Sequence, residues 1–184
     1  MILTFARVQA SRQSRGAPFV PTWLFVGSYI VLWCATGLLA YVVAAGGDAL
    51  AEDWKWLMDN AARIGGGLLV IAGVYQLSPL KRLCLTKCRT PLSFILGSWR
   101  DGNAGAVRMG LEHGAYCFGC CWMLFAILFP LGMMNIAAMA VVTALIFAEK
   151  SFRNGERIAQ AAAVLLICYG AVVIAVPSAL PIDL

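Results

Sequence analysis

Charge is scarce in this chain. Asp, Glu, Lys and Arg make up 12% of the residues, about half of the roughly 25% typical of soluble domains. That shortage excludes an ordinary soluble globular protein. Histidine is rarer still, with one in 184 residues. There is no Gly-rich phosphate loop, no Ser-His-Asp set and no pair of carboxylates inside an apolar run. Phosphoryl transfer, serine hydrolysis and carboxylate proton relay therefore lack their residues. Internal repeats and low-complexity tracts are also lacking. What fills the chain is apolar. Hydrophobic residues are 61% and the mean hydropathy is +0.82, which is the composition of an integral membrane protein. The net charge of +5 is not a nucleic-acid footprint, because the basic residues gather at the ends of apolar spans.

A transmembrane helix needs about 20 apolar residues. Five such segments are predicted, over roughly 22–45, 61–77, 106–130, 135–148 and 158–176. The first follows Pro18 and Pro21, Ser78-Pro79 stops the second, and Pro177 ends the fifth. The fourth is short and abuts the third through Leu131-Gly132. The fold class is all-α, a polytopic transmembrane bundle forming one integral membrane domain over 1–184. The first span is too long for a cleavable signal peptide, and no clear small-residue cleavage site follows it.

The connections alternate in charge. Arg7, Arg12 and Arg15 precede the first span, and Asp48, Glu52, Asp53 and Asp59 outnumber Lys55 in the next connection. Lys81, Arg82, Lys87, Arg89, Arg100 and Arg108 outnumber Asp101 and Glu112 in the one after. Lys150, Arg153 and Arg157 outnumber Glu149 and Glu156 before the last span. The positive-inside rule then puts the amino end in the cytoplasm. The expected location is the bacterial cytoplasmic (inner) membrane. Trp54 and Trp56 suit an interfacial belt.

The chemistry gathers in one run. His113, Cys117, Cys120 and Cys121 lie within nine residues, inside the third apolar segment. At 100° per residue they share one face of a helix. His and Cys one turn apart can grip one ion. Imidazole and thiolate suit zinc or copper, and thiolate in particular suits Cu(I). The bland alternative is that the thiols are small hydrophobes filling gaps between helices.

Cys84 and Cys88 form a second pair, spaced i, i+4 in the basic connection. With His113 and Cys117 they complete a Cys3His set, the ligand composition of a closed structural zinc site. Cys120 and Cys121 lie a turn deeper and supply a second position or a transfer step. Lys81, Arg82, Lys87 and Arg89 favour thiolate at Cys84 and Cys88, or serve only as cytoplasmic anchors. A cytoplasmic face argues against a permanent disulfide there. Glu112 and Glu149 are candidate supporting partners for a ligand histidine, with a local ion pair or helix-end anchor the simpler role for Glu149. Met133, Met134 and Met139 are thioethers able to hand on Cu(I) or simply fill gaps. Gly65, Gly66, Gly67, Gly73, Gly110 and Gly114 read as close helix packing. Cys34 and Cys168, isolated within spans, read as core.

Several stretches resemble the DUF2182 family of predicted metal-binding integral membrane proteins. They are Tyr75 to Lys81, the Cys84/Cys88 pair with Arg89-Thr90-Pro91-Leu92, Trp99-Arg100-Asp101-Gly102, and Arg108-Met109-Gly110. The others are His113-Gly114, Tyr116-Cys117, Gly119-Cys120-Cys121-Trp122, Gly132-Met133-Met134-Asn135 and Glu149-Lys150. The resemblance spans roughly residues 22–175 and implies ligands at Cys84, Cys88, His113, Cys117, Cys120 and Cys121. It also implies an apolar helix with a Met-Met-x-Pro-like stretch ahead of the first span, and no apolar run of that kind precedes Thr22. The function expected is that of a membrane metal-binding protein, with copper first and zinc second. It would act in metal handling or as a metal-bearing subunit of a membrane complex, rather than as an enzyme by itself. Its expected partners are the lipid bilayer and a protein, either a complex subunit or a metallochaperone. A membrane thiol–disulfide oxidoreductase and a structural accessory subunit are the alternatives. Cys117-Phe-Gly-Cys120 has the C-x-x-C spacing of redox motifs.

Overall fold

The computed structural model describes residues 2–16, 19–132 and 135–179. Those residues are mostly helical, with no strand among them, and the helices follow in the order α1 Ile2–Gln13, α2 Thr22–Asp53, α3 Lys55–Gln76, α4 Pro79–Arg89, α5 Pro91–Ser98, α6 Gly102–Ala126, α7 Leu128–Leu131, α8 Ile136–Ser151 and α9 Gly155–Ala175. A single 3-10 turn follows at Pro177–Ala179.

Four stretches are long and apolar enough to cross a membrane: Thr22–Gly47, Lys55–Gln76, Gly102–Leu131 and Gly155–Ala175. They fit a multi-pass membrane protein and match four of the five expected spans. The segment expected over 135–148 is also a helix, capped where Asn135 accepts a hydrogen bond from the Ala138 amide at 3.1 Å. It has 16 residues, so at 1.5 Å per residue it reaches about 24 Å, short of the roughly 30 Å hydrocarbon layer. The acidic connection expected between the first two spans is itself helical. α2 runs on to Asp53 and α3 starts at Lys55, leaving only Trp54 outside helical geometry at φ −118 and ψ 92. Alanines and acids are tolerated at a helix end, so the loss of hydrophobicity there marks no loop.

The chain divides into two compact units. The first joins Met1–Ala40 with Leu83–Cys120. Its core is Phe5, Val20, Phe25, Phe94, Ile95, Ala106 and Met109. α1 docks there through Phe5, whose ring stacks 4.9 Å from Phe25 and 5.5 Å from Trp99. Arg12 of α1 closes the edge, bonded to Asp101 at 2.9 Å and lying 5.0 Å over the Trp99 ring. The second unit joins Tyr41–Arg82 with Cys121–Leu184. Its core is Leu69, Ala72, Met123, Leu124, Ile127, Val142 and Val173. There α3 packs on α9 through glycines. A Cβ on Gly66 would lie 2.9 Å from the Gly170 carbonyl oxygen, and one on Gly170 would lie 2.7 Å from that of Gly66. Small residues let the two backbones touch, as apolar helices require when no water drives them together.

Candidate metal centre

Pro79 opens α4, where its fixed φ suits the first helical turn. The helix then places Cys84 and Cys88 one turn apart on one face. Cys84 is buried and Cys88 half-buried. On α6, His113 is 7% exposed, Cys117 9%, Cys120 1% and Cys121 2%. The thiols and imidazole of the central run therefore point inward, although α6 is apolar nearly all round.

The sulfurs come together around Cys88. Its side chain hydrogen-bonds with those of Cys117 and Cys120, and the Cys120 Sγ lies 3.8 Å from the Cys88 Sγ. Cys120 also bonds to the Cys117 carbonyl oxygen at 3.0 Å, and the Tyr29 hydroxyl lies 3.6 Å from the Cys117 Sγ. Cys84 completes the group from the side. Its Sγ rests against Gly119, where a Cβ would come within 2.9 Å of it. Gly119 is thus the residue that lets α4 approach α6 at this level.

These contacts hold protons in place. Hydrogen bonds to Cys117 and Cys120, followed by burial, push the Cys88 thiol far above the ordinary thiol range. Burial, then the charge that Cys120 would carry, raises Cys84 as well. Metal binding here must therefore displace thiol protons.

His113 sits among aromatic rings. Its centroid is 5.3 Å from Phe94, 5.8 Å from Tyr29 and 6.3 Å from Phe25. Tyr29 connects the two sets, stacking on His113 while its hydroxyl reaches Cys117. Cys121 turns away from its neighbour. One residue is 100° round a helix, and Cys121 meets the Lys150 ammonium, whose Nζ lies 4.0 Å from its sulfur. Among the described residues, no three His, Cys, Asp or Glu side chains are gathered as a ready cage for a metal ion. Met133 and Met134 lie outside the described residues.

The two carboxylates have other partners. Glu112 pairs with Arg108 one turn earlier at 3.0 Å. Glu149 is 2% exposed and bonds to Lys81 Nζ at 2.6 Å and to the Gln76 amide at 3.0 Å. Its partners thus include a lysine far off in sequence. Lys81 is no surface anchor either, being 1% exposed. Only one clue in the sequence pointed to this pair: Glu149 is an acid at the end of a long apolar run. Cys34 and Cys168 are exposed, not core. A span that is apolar on every side does not reveal which side faces inward.

A family model described as PpoB2, a copper chaperone, matches residues 1–173. No curated protein and no solved structure matches the chain.

Proposed function

Since this chain belongs to the PpoB2 copper chaperone family, we propose that it carries Cu(I) on the thiols that α4 and α6 bring together. Cys88 and Cys120 are the primary ligands, Cys117 the third, and Cys84 the flanking thiol. One observation carries this reading: the 3.8 Å between the Cys88 and Cys120 sulfurs. At metal–sulfur bonds near 2.3 Å, two thiolates on one ion sit within about 4.6 Å of each other. The pair therefore needs little movement to receive copper. Cu(I) is soft and prefers thiolate, and it is content with two or three ligands. A low-coordinate thiolate site fits the arrangement in which Cys88 meets Cys117 and Cys120.

His113 lies one turn before Cys117 and joins the set through Tyr29, as a further ligand or as the floor of the site. Cys121, held by Lys150, takes the role of a later transfer position. Zinc has no part in this reading. The cargo passes to or from a protein partner, with the helices seated in a bilayer, and the DUF2182-like motifs point to the same kind of metal handling.

The test is copper stoichiometry of the purified chain, loaded anaerobically with Cu(I) and freed of excess. Wild type should retain copper. Cys88→Ser and Cys120→Ser should each lose most of it, and His113→Ala should lose less. Cys168→Ser should match wild type. Equal retention by wild type and both α4/α6 cysteine variants would leave the thiols as packing residues and the chain as a structural subunit.

A further inference from the structure

The same thiols that suit copper also form a dithiol. Cys88 and Cys120 lie 3.8 Å apart, and they differ in access. Cys120 is 1% exposed, whereas Cys88 is half-buried. Cys88 also has cations on both sides in sequence, with Lys87 exposed and Arg89 half-buried. An incoming sulfur can therefore reach Cys88 and not Cys120. Cys120 already donates toward Cys88, so it is placed to resolve whatever bond forms there. Cys117 also meets the Cys88 side chain and shares its sulfur with the Tyr29 hydroxyl at 3.6 Å, so it is the competing resolving thiol that disulfide mapping must separate from Cys120.

We infer that Cys88 and Cys120 exchange with an external disulfide, and that this exchange expels the copper. The inference rests on the copper reading above. In metal-free protein, Cys88 gives up its proton and attacks a disulfide R–S–S–R as the thiolate. A mixed Cys88–S–S–R disulfide forms and R–SH leaves with the proton. Cys120 then attacks the Cys88 sulfur, closing Cys88–S–S–Cys120 and releasing the second R–SH. Two electrons and two protons pass to the incoming disulfide.

With Cu(I) bridging the two cysteine thiolates, the same exchange needs no proton. The cysteines end as a disulfide, and the two thiolates cut from R–S–S–R carry away the copper, still as Cu(I). Oxidation of the carrier and reduction of the acceptor are then one event. The substrate class is a disulfide whose reduced form binds Cu(I). Cys117 and Cys84 alone retain copper poorly once the central pair is closed.

Oxidised glutathione is a suitable probe, applied anaerobically to intact protein in detergent, with and without Cu(I). In metal-free protein carrying Cys34→Ser and Cys168→Ser, the two exposed cysteines, peptide mapping should find Cys88 linked to Cys120, and the free-thiol count should fall by two. Cys120→Ser should stop at a glutathione adduct on Cys88, and Cys88→Ser should form neither product. In Cu(I)-loaded protein, copper should appear in the small-molecule fraction on the same time course as the disulfide. An equal thiol concentration of reduced glutathione should release several-fold less. Retained helical circular dichroism verifies that each variant is folded.

Absence of the Cys88–Cys120 link in folded wild type overturns the inference. So does a link through Cys117 instead, or copper release that runs ahead of disulfide formation. If the link forms but copper content never depends on these cysteines, the copper reading fails and the exchange activity stands.

Discussion

Cys88 touches both Cys117 and Cys120 while part of its surface stays open. In the proposed reading, that combination makes it the first point of contact for copper or for another sulfur. At the same scale stands a second group with a different purpose. Lys81 and Glu149 have side chains only 2% exposed and form a buried ion pair, with Gln76 as the third member. A buried pair contributes little over well-packed apolar residues, but breaking it costs about 3–5 kcal/mol, because one charge is left uncompensated. Lys81→Met and Glu149→Leu should therefore each lower the thermal unfolding midpoint in detergent markedly. The double variant should recover most of the loss. Additive losses in the double variant would mean that the two residues act separately.

Among the elements, α1 is the one fixed by ring stacking and a surface ion pair. Asp101 lies well below its ordinary pKa of 3.8, first because the Trp99 indole N–H donates to it and then because of the Arg12 guanidinium. A carboxylate depressed in the folded state contributes stability above its unfolded value and loses it as pH falls through the lowered one. The edge of α1 should therefore be intact at neutral pH and loosen below about pH 4. Hydrogen exchange of the α1 amides, corrected for intrinsic rates, should speed up between pH 5 and pH 3 in wild type. In Asp101→Asn it should already be faster at pH 7 and change less on acidification. The effect should be local, since exposed pairs contribute only about 0–1 kcal/mol and Phe5 still stacks on Phe25 and Trp99.

For the whole molecule, the alternation of basic and acidic connections supports one direction of insertion. The proposed arrangement puts the amino end and the α4 region in the cytoplasm, and Trp54 with its acidic neighbours on the far side. A cysteine introduced as Asp53→Cys, on a background without exposed native cysteines, should react with an impermeant thiol reagent in intact cells. Arg153→Cys should react only after permeabilisation. The reverse pattern inverts the bundle and would open the Cys88 side to the exterior.

Composition and long apolar runs by themselves pointed to the all-helical class, because 61% hydrophobic residues with 12% charge lie in runs of about 20 residues, and helices satisfy their own backbone groups within each run. Spacing determined which side chains share a helix face: Cys84 with Cys88, and His113 with Cys117. It also located four long apolar helices, although the second begins at Lys55 and not near 61. Tertiary structure decided which faces meet. Cys120 reaches Cys88 whereas Cys121 reaches Lys150, a division made by a single 100° step that no linear pattern records. His113 is enclosed by Phe25, Tyr29 and Phe94, rings contributed by α2 and α5, which lie far from it in sequence. Lys81 and Glu149 looked like separate helix-end charges because their attraction depends on a distance set only by folding. Cys34 and Cys168 lie on outward faces because hydrophobicity is uniform around their helices and inwardness is decided by neighbours. Sequence fixes a residue's position along a helix and around its axis. Only packing decides what it touches there.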